Sequence, residues 1–105
     1  AGVKITNLSN NDIIGTIPTS FGGMTSLSSL NLSYNDISGT IPGELGNLAQ
    51  LTQLRLNSNE LHSSIPWTLS LISELVELNG KKWIRENRQK LIDEWYYIVR
   101  QGIIR

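Results

Sequence analysis

Few side chains in this sequence could carry catalytic or metal chemistry. There is no cysteine and only one histidine, His62, so thiol catalysis, disulfides and cysteine-based zinc sites are excluded. A Ser-His-Asp arrangement or a metal site would need His62 beside a carboxylate such as Asp12 or Asp36, and nothing in their spacing brings them together. Glu74 and Glu77 are most simply solvated edge residues, and no GxxxxGKS or GxxxxGKT phosphate loop is present. We therefore predict no catalytic residue, no metal, no cofactor and no enzyme activity.

Many of the other polar residues recur with a period of 24 residues, so this repeat determines their positions in the fold. Each copy contains leucine-type positions, an asparagine, a glycine or serine, and an Ile-Pro pair. The main columns are Val3/Leu27/Leu51/Leu75, Thr6/Leu30/Leu54, Leu8/Leu32/Leu56, Asn11/Asn35/Asn59, Gly15/Gly39/Ser63, Pro18/Pro42/Pro66 and Gly22/Gly46/Ser70. Self-similarity at such a period indicates a solenoid of stacked coils. A solenoid of this kind is a surface for holding partners.

The repeat reads LxxLxLxxNxLxGxIPxxLGxLxx and resembles the plant-type leucine-rich repeat over residues 3 to about 78. The resemblance implies an α/β solenoid with a short parallel sheet on the concave face and 3₁₀ or irregular structure on the convex side. We predict a single domain over 1–105, with repeats at 3–26, 27–50 and 51–74 and a partial fourth repeat at 75–80.

The residues of the repeat are consistent with that fold. Alternate leucines of the LxL segment point to one face of a strand. Asn11, Asn35 and Asn59 have both a donor and an acceptor, so they can satisfy backbone groups where the chain leaves the strand. Gly15 and Gly39 suit a tight bend, and each proline prevents a helix from starting earlier. We expect the asparagine column to form a structural ladder.

The pattern changes after the partial repeat, and residues 81–102 are predicted to form an amphipathic helix. Asn79-Gly80 suits the start of this helix and Gly102 its end. Residues 80–105 contain seven basic and three acidic residues, a net charge of +4, whereas residues 1–79 have a net charge of −4. The simplest interpretation is a helix that caps the last coil. Binding to a partner's groove and attachment to an anionic membrane are the alternatives, with membrane attachment the least favoured.

The first coil raises a different question, because the sequence enters the repeat without a capping segment. We expect a fragment of a larger protein or an engineered scaffold. An uncovered end that presents Val3 and Leu8 predicts weak self-association through this coil.

Candidate binding residues follow from the repeat, because side chains beside the leucines of each strand face the concave side. Tyr34 and Arg55 are of the types most often found at binding hot spots. The full predicted surface comprises Ser29, Asn31, Ser33, Tyr34, Gln53, Arg55 and Asn57. We predict that it binds a protein or peptide. A structural scaffold without a ligand, and a targeting repeat attached to a catalytic domain outside this sequence, remain the alternatives.

Composition limits the partner and leaves the compartment open. The formal net charge is zero, so no attraction to nucleic acid is expected, and no apolar run approaches the roughly 20 residues of a membrane span. The absence of cysteine favours a reducing, intracellular compartment. Asn7-Leu8-Ser9 and Asn31-Leu32-Ser33 match the glycosylation tripeptide, which would instead suit an extracellular receptor fragment. Glycans at Asn7 or Asn31 would crowd the concave face.

Overall fold

The leucines of successive coils stack into one continuous core. In the computed structural model, which describes residues 2–62, 65–82 and 85–100, Leu27, Leu30, Leu51 and Leu54 have no exposed surface. Burial of each such side chain stabilises the fold by about 1.5–3 kcal/mol. The equivalent positions of the first coil are more open, since Val3 is 56% exposed and Leu8 is 42% exposed. Self-association through this coil stays a prediction.

A parallel sheet lies on one side of the coils, as predicted. Its strands are β1 (Ile5–Asn7), β3 (Ser29–Asn31), β5 (Gln53–Arg55), β7 (Glu77–Leu78) and β8 (Lys81–Lys82), in that order. The first four are parallel and in register at the repeat spacing, with Ile5 opposite Ser29, Ser29 opposite Gln53, and Gln53 opposite Glu77. The 24-residue period therefore places equivalent side chains side by side.

A second parallel sheet, which was not predicted, follows the asparagine of each coil. Its strands are β2 (Ile14–Gly15), β4 (Asp36–Gly39) and β6 (Glu60–Leu61). Gly15 and Gly39 adopt φ values of 90° and 85°, which L side chains rarely adopt. They end extended strands and do not form the tight bend expected there, and the bends lie earlier in each coil, at Asn10-Asn11 and Tyr34-Asn35. Ser63, the third member of that column, lies outside the described residues.

The opposite side of each coil is a 3₁₀ helix that begins after a proline. The three helices span Thr19–Gly23, Gly43–Asn47 and Trp67–Leu71. Pro18, Pro42 and Pro66 precede them with φ values near the one that the proline ring imposes. Neighbouring 3₁₀ helices pack closely enough that a Cβ on Gly22 would lie 2.5 Å from the Glu44 carbonyl oxygen, and one on Gly46 would lie 2.5 Å from that of Thr68.

The prediction of a helix over 81–102 is wrong at its start. Asn79 and Gly80 have φ values of 53° and 81°, the combination required at the centre of a two-residue type I′ hairpin turn. The turn reverses the chain, so that β8 pairs antiparallel with β7 and Leu78 lies opposite Lys81. Asn-Gly was interpreted as a helix start, although it is also the strongest short hairpin signal.

The helix α1 spans Arg85–Arg100 and packs against the third 3₁₀ helix. Leu91 contacts the leucine core, and Arg88 Nη2 donates to the Ser73 carbonyl at 3.3 Å. Tyr96 and Tyr97 are more than half exposed. The last coil is therefore covered by α1 on the 3₁₀ side and by β8 on the sheet side. The predicted helix end at Gly102 lies outside the described residues.

The close packing of the 3₁₀ helices yields a first prediction from two adjacent glycines. Gly22→Ala should lower the free energy of unfolding by about 1–3 kcal/mol, because the added methyl group meets backbone rather than a movable side chain. Gly23→Ala is the matched control, since a Cβ there has no neighbour within 4 Å. It should leave stability unchanged or raise it by up to about 1 kcal/mol. Urea denaturation measures both, and equal midpoints for the two variants would contradict the described packing.

Candidate functional site

Asparagine side chains join one coil to the next beneath the sheet face. Asn35 Nδ2 lies within 3.0–3.2 Å of the carbonyl oxygens of Leu32 and Ser33 in its own coil and of Leu8 in the preceding coil. Its Oδ1 accepts from the Ile13 N–H at 3.1 Å. Asn35 is thus the acceptor for the Ile13 N–H, whereas the three carbonyl oxygens each accept from a second donor as well: Asn11 for Leu8, Asn59 for Leu32 and the Asn10 N–H for Ser33.

Asn59 repeats this arrangement one coil later, and Asn11 repeats part of it. Asn59 Nδ2 donates to Leu32 and Leu56 at 2.9 and 3.2 Å, and its Oδ1 accepts from the Ile37 N–H. Asn11 bonds carbonyl groups of its own coil only, among the described residues. The asparagine column therefore fixes the spacing between coils and hence the positions of the surface residues.

Two rows of side chains lie across the sheet face. The upstream row consists of Ile5, Ser29, Gln53 and Glu77, and the downstream row consists of Asn7, Asn31 and Arg55. Six of these residues line a depression of about 230 Å³, together with Leu30; they are Ile5, Asn7, Ser29, Asn31, Gln53 and Arg55. The sequence-predicted residues Ser29, Asn31, Gln53 and Arg55 are thus neighbours on one surface.

A hydrogen-bonded chain runs along the upstream row. The Ser29 hydroxyl donates to Gln53 Oε1 at 3.3 Å, and Gln53 Nε2 donates to Glu77 Oε2 at 3.0 Å. Glu77 also accepts from Arg55 Nε at 2.6 Å and forms an ion pair with Arg55 Nη2. The interpretation of Glu77 as a solvated edge residue is therefore wrong, because its side chain is only 22% exposed. The spacing of 24 residues between Gln53 and Glu77 could have revealed the contact between these two side chains, because residues at that spacing lie opposite each other in the sheet.

Ser33 does not belong to the accessible surface. It is 4% exposed, and its hydroxyl donates to Asn31 Oδ1 at 2.6 Å. The strand ends at Asn31, so the alternation of side chains that predicted an outward Ser33 stops before that residue. This corrects the predicted binding surface by one residue.

Tyr34 and Asn57 lie at the downstream edge of the face. Tyr34 is 57% exposed and has a φ of 58°, which is uncommon for a bulky side chain. Its N–H donates to the Asn57 carbonyl at 3.1 Å, which holds the turn against the next coil. Asn57 itself is half-buried, and its Oδ1 is buried without a hydrogen-bond partner among the described residues. Tyr34 is therefore the accessible member of this pair.

Over residues 2–62, 65–82 and 85–100, no three His, Asp or Glu side chains are close enough to hold a metal ion. No helix in the same ranges has both the length and the apolar content needed to cross a bilayer.

The family follows from the repeat pattern together with this fold. The family pattern described as "Leucine rich repeat" matches residues 2–61. The chain belongs to the leucine-rich repeat family. No curated protein matches it.

Several solved leucine-rich repeat structures are similar to this one. The LRR ectodomain of the plant membrane receptor kinase GASSHO1/SCHENGEN3 from Arabidopsis thaliana, in complex with CASPARIAN STRIP INTEGRITY FACTOR 2, is 33% identical with a TM-score of 0.70, over 72% of this chain and 9% of that one. The Arabidopsis receptor kinase HAESA ectodomain, in complex with an IDA peptide hormone ligand, is 45% identical with a TM-score of 0.70, over 71% and 13% of the two chains. The Arabidopsis BIR2 ectodomain is 35% identical with a TM-score of 0.66, over 68% and 38%. This leucine-rich repeat chain therefore spans less than half the length of each of these ectodomains.

The Glu77 contacts yield a prediction about the order of the sheet face. Glu77→Gln should increase the motion of the Arg55 guanidinium, because the variant loses the charge that holds it. The free energy of unfolding should fall by less than about 1 kcal/mol, since partly exposed ion pairs contribute little. Nitrogen-15 relaxation of Arg55 Nε measures the motion. Glu74→Gln is the control, because it removes the same charge from an exposed position; similar Arg55 relaxation in the wild type and Glu77→Gln would argue against the pairing.

The asparagine ladder yields a prediction about stability. Asn35→Ala should lower the free energy of unfolding by about 1–3 kcal/mol, because the Ile13 N–H loses its Asn35 acceptor and a buried unpaired group costs about that much. The three carbonyl oxygens that Asn35 contacts each keep another donor. Asn47→Ala provides the control at the exposed last residue of the second 3₁₀ helix, and it should have little effect. Chemical denaturation with matched midpoints for the two variants would show that the ladder does not hold the coils.

Proposed function

We propose that this chain is a protein-interaction module whose sheet face binds an extended peptide segment. The observation that carries the proposal is the alignment of the two rows, in which Ser29, Asn31, Gln53 and Arg55 line one depression. The exposed Tyr34 follows the strand that carries Ser29 and Asn31. Arginine and tyrosine are enriched among residues that dominate binding energy. The leucine-rich repeat is a non-catalytic binding fold, and we propose no enzyme activity.

Similar proteins support the class of ligand. The GASSHO1/SCHENGEN3 structure contains CASPARIAN STRIP INTEGRITY FACTOR 2, and the HAESA structure contains a peptide hormone. Those ectodomains are much longer than this chain, so the ligand and the residues that contact it here are our proposal.

The size of the face favours a peptide over a folded partner. Four parallel strands about 4.8 Å apart span about 14 Å, and three residues along a strand extend about 10 Å. A stable interface between folded proteins buries about 800 Å² on each side, which is several times the resulting area. An extended segment of a few residues fits the available surface.

Selection of random peptides displayed on phage against the complete chain tests the proposal. Peptides that bind should lose about tenfold or more in affinity to Tyr34→Ala and Gln53→Ala, since hot-spot residues contribute at least about 1.4 kcal/mol. They should bind Asn47→Ala as tightly as the wild type, because Asn47 is the last residue of the second 3₁₀ helix, on the opposite side of the coil. If no peptide is selected, or if all three variants bind equally, the sheet face is not a binding surface and a scaffold role is favoured.

A further inference from the structure

The amide groups of the downstream row have a defined orientation. Asn7 Oδ1 accepts from the N–H and hydroxyl of Ser9 at 3.1 and 2.7 Å. Asn31 Oδ1 accepts in the same way from Ser33 at 3.0 and 2.6 Å. A backbone N–H can only donate, so the amide atom that faces it must be the oxygen. The Nδ2 group of each asparagine is therefore turned away from its own turn.

Each amide and carboxylate oxygen of the remaining polar groups also accepts a hydrogen bond, whereas the Ser29 hydroxyl oxygen keeps its acceptor capacity. Gln53 Oε1 accepts from Ser29, and each oxygen of Glu77 accepts from Gln53 or Arg55. Donors remain in excess, because a guanidinium has five N–H groups and a primary amide has two. Arg55 uses two of its nitrogen atoms on Glu77, and Gln53 uses one N–H. The face therefore offers N–H groups from Asn7, Asn31, Gln53 and Arg55.

We infer that the N–H groups of Asn7, Asn31, Gln53 and Arg55, here called the donor row, bind main-chain carbonyl oxygens of an extended peptide. The inference rests on the proposed function and names the chemistry of its ligand. The charge of Arg55 is balanced by Glu77 at hydrogen-bond distance, so an uncharged acceptor suits the row better than a carboxylate. Neighbouring strands lie about 4.8 Å apart, so the three downstream positions span about 10 Å, the reach of three extended residues.

Ile5 gives the same depression an apolar end. It is 68% exposed and lies opposite Ser29 in the upstream row. An aliphatic side chain of the ligand would cover it and remove apolar surface from water. Carbonyl groups are common to all peptides, so sequence preference at this face comes from the contacts with Ile5 and Tyr34 rather than from the donor row.

The same nitrogen atoms are the points at which a glycan would be attached to Asn7 or Asn31. A glycosylated Asn31 has lost one of its two N–H donors and carries a bulky group. Glycosylation and ligand binding at this row therefore exclude each other.

Asn31→Asp tests the inference because it replaces only the side-chain NH₂ group by an oxygen. The aspartate retains an oxygen that accepts from Ser33, and Asp is as compatible as Asn with this turn. It replaces the outward donor with an acceptor, so affinity for a phage-selected peptide should fall about tenfold or more. Asn47→Asp is the matched control: it adds the same charge at an exposed residue of the second 3₁₀ helix, on the opposite side of the coil, and should change affinity by less than about twofold. Thermal unfolding of both variants verifies that the fold is retained.

Backbone analogues of the selected peptide provide the second measurement. Replacement of a peptide N–H by an ester oxygen keeps the carbonyl as a weaker acceptor and should lower affinity only slightly, whereas replacement of the amide by a trans-alkene at a contacting residue removes the carbonyl without adding a charge and should lower affinity about tenfold. The inference is overturned if Asn31→Asp binds as tightly as the wild type, or if ester and alkene analogues lose affinity equally. Sensitivity to Tyr34→Ala without sensitivity to Asn31→Asp would overturn the donor row and leave the proposed function in place. Insensitivity to all of these variants would remove the proposed function as well.

Discussion

The hydrogen bonds that an asparagine side chain makes to two coils at once are the constraint on which this structure depends. Burial of leucine supplies more free energy, at about 1.5–3 kcal/mol for each side chain, but it has no direction and specifies no register. Asn35 and Asn59 each bond a carbonyl group of their own coil and a carbonyl and an N–H of the preceding one. This fixes one spacing between coils, and the contact between Gly22 and the Glu44 backbone is possible only at such a spacing.

A fixed register also brings the equivalent side chains of successive coils together on one surface. Because Ser29, Gln53 and Glu77 occupy the same position in successive coils, their side chains meet and form a chain of hydrogen bonds. The ion pair between Arg55 and Glu77 adds little to stability at its degree of exposure. Its consequence is electrostatic, since it leaves a row with many donors and almost no net charge. A slip of one residue would send these side chains into the core.

Features that recur could be predicted from the sequence, and features that occur once could not. The leucine positions and the proline-started 3₁₀ helices recur in successive coils, and the glycine with a positive φ recurs in two of them, so each copy supports the others. The Asn79-Gly80 turn occurs once, and it was interpreted as the start of a helix because an amphipathic pattern follows it. The second sheet was missed because its strands are two to four residues long, too short for alternation to be visible. The contact of Glu77 with Arg55 depends on side-chain direction, which column alignment does not specify.

The hairpin at the end of the sheet explains why Glu77 occupies a different environment from the other members of its row. Its strand is paired on one side with β5 in parallel and on the other with the antiparallel β8. A reversed strand cannot continue the coil pattern, and lysines on such a strand discourage further strand pairing. Within the described residues, the row of side chains thus ends on a carboxylate that accepts from Gln53 and Arg55. The N–H groups of Asn7 and Asn31 lie in the other row and face outward for a separate reason, because the oxygen of each amide accepts from Ser9 or Ser33; they are the donors on which the proposed peptide binding depends.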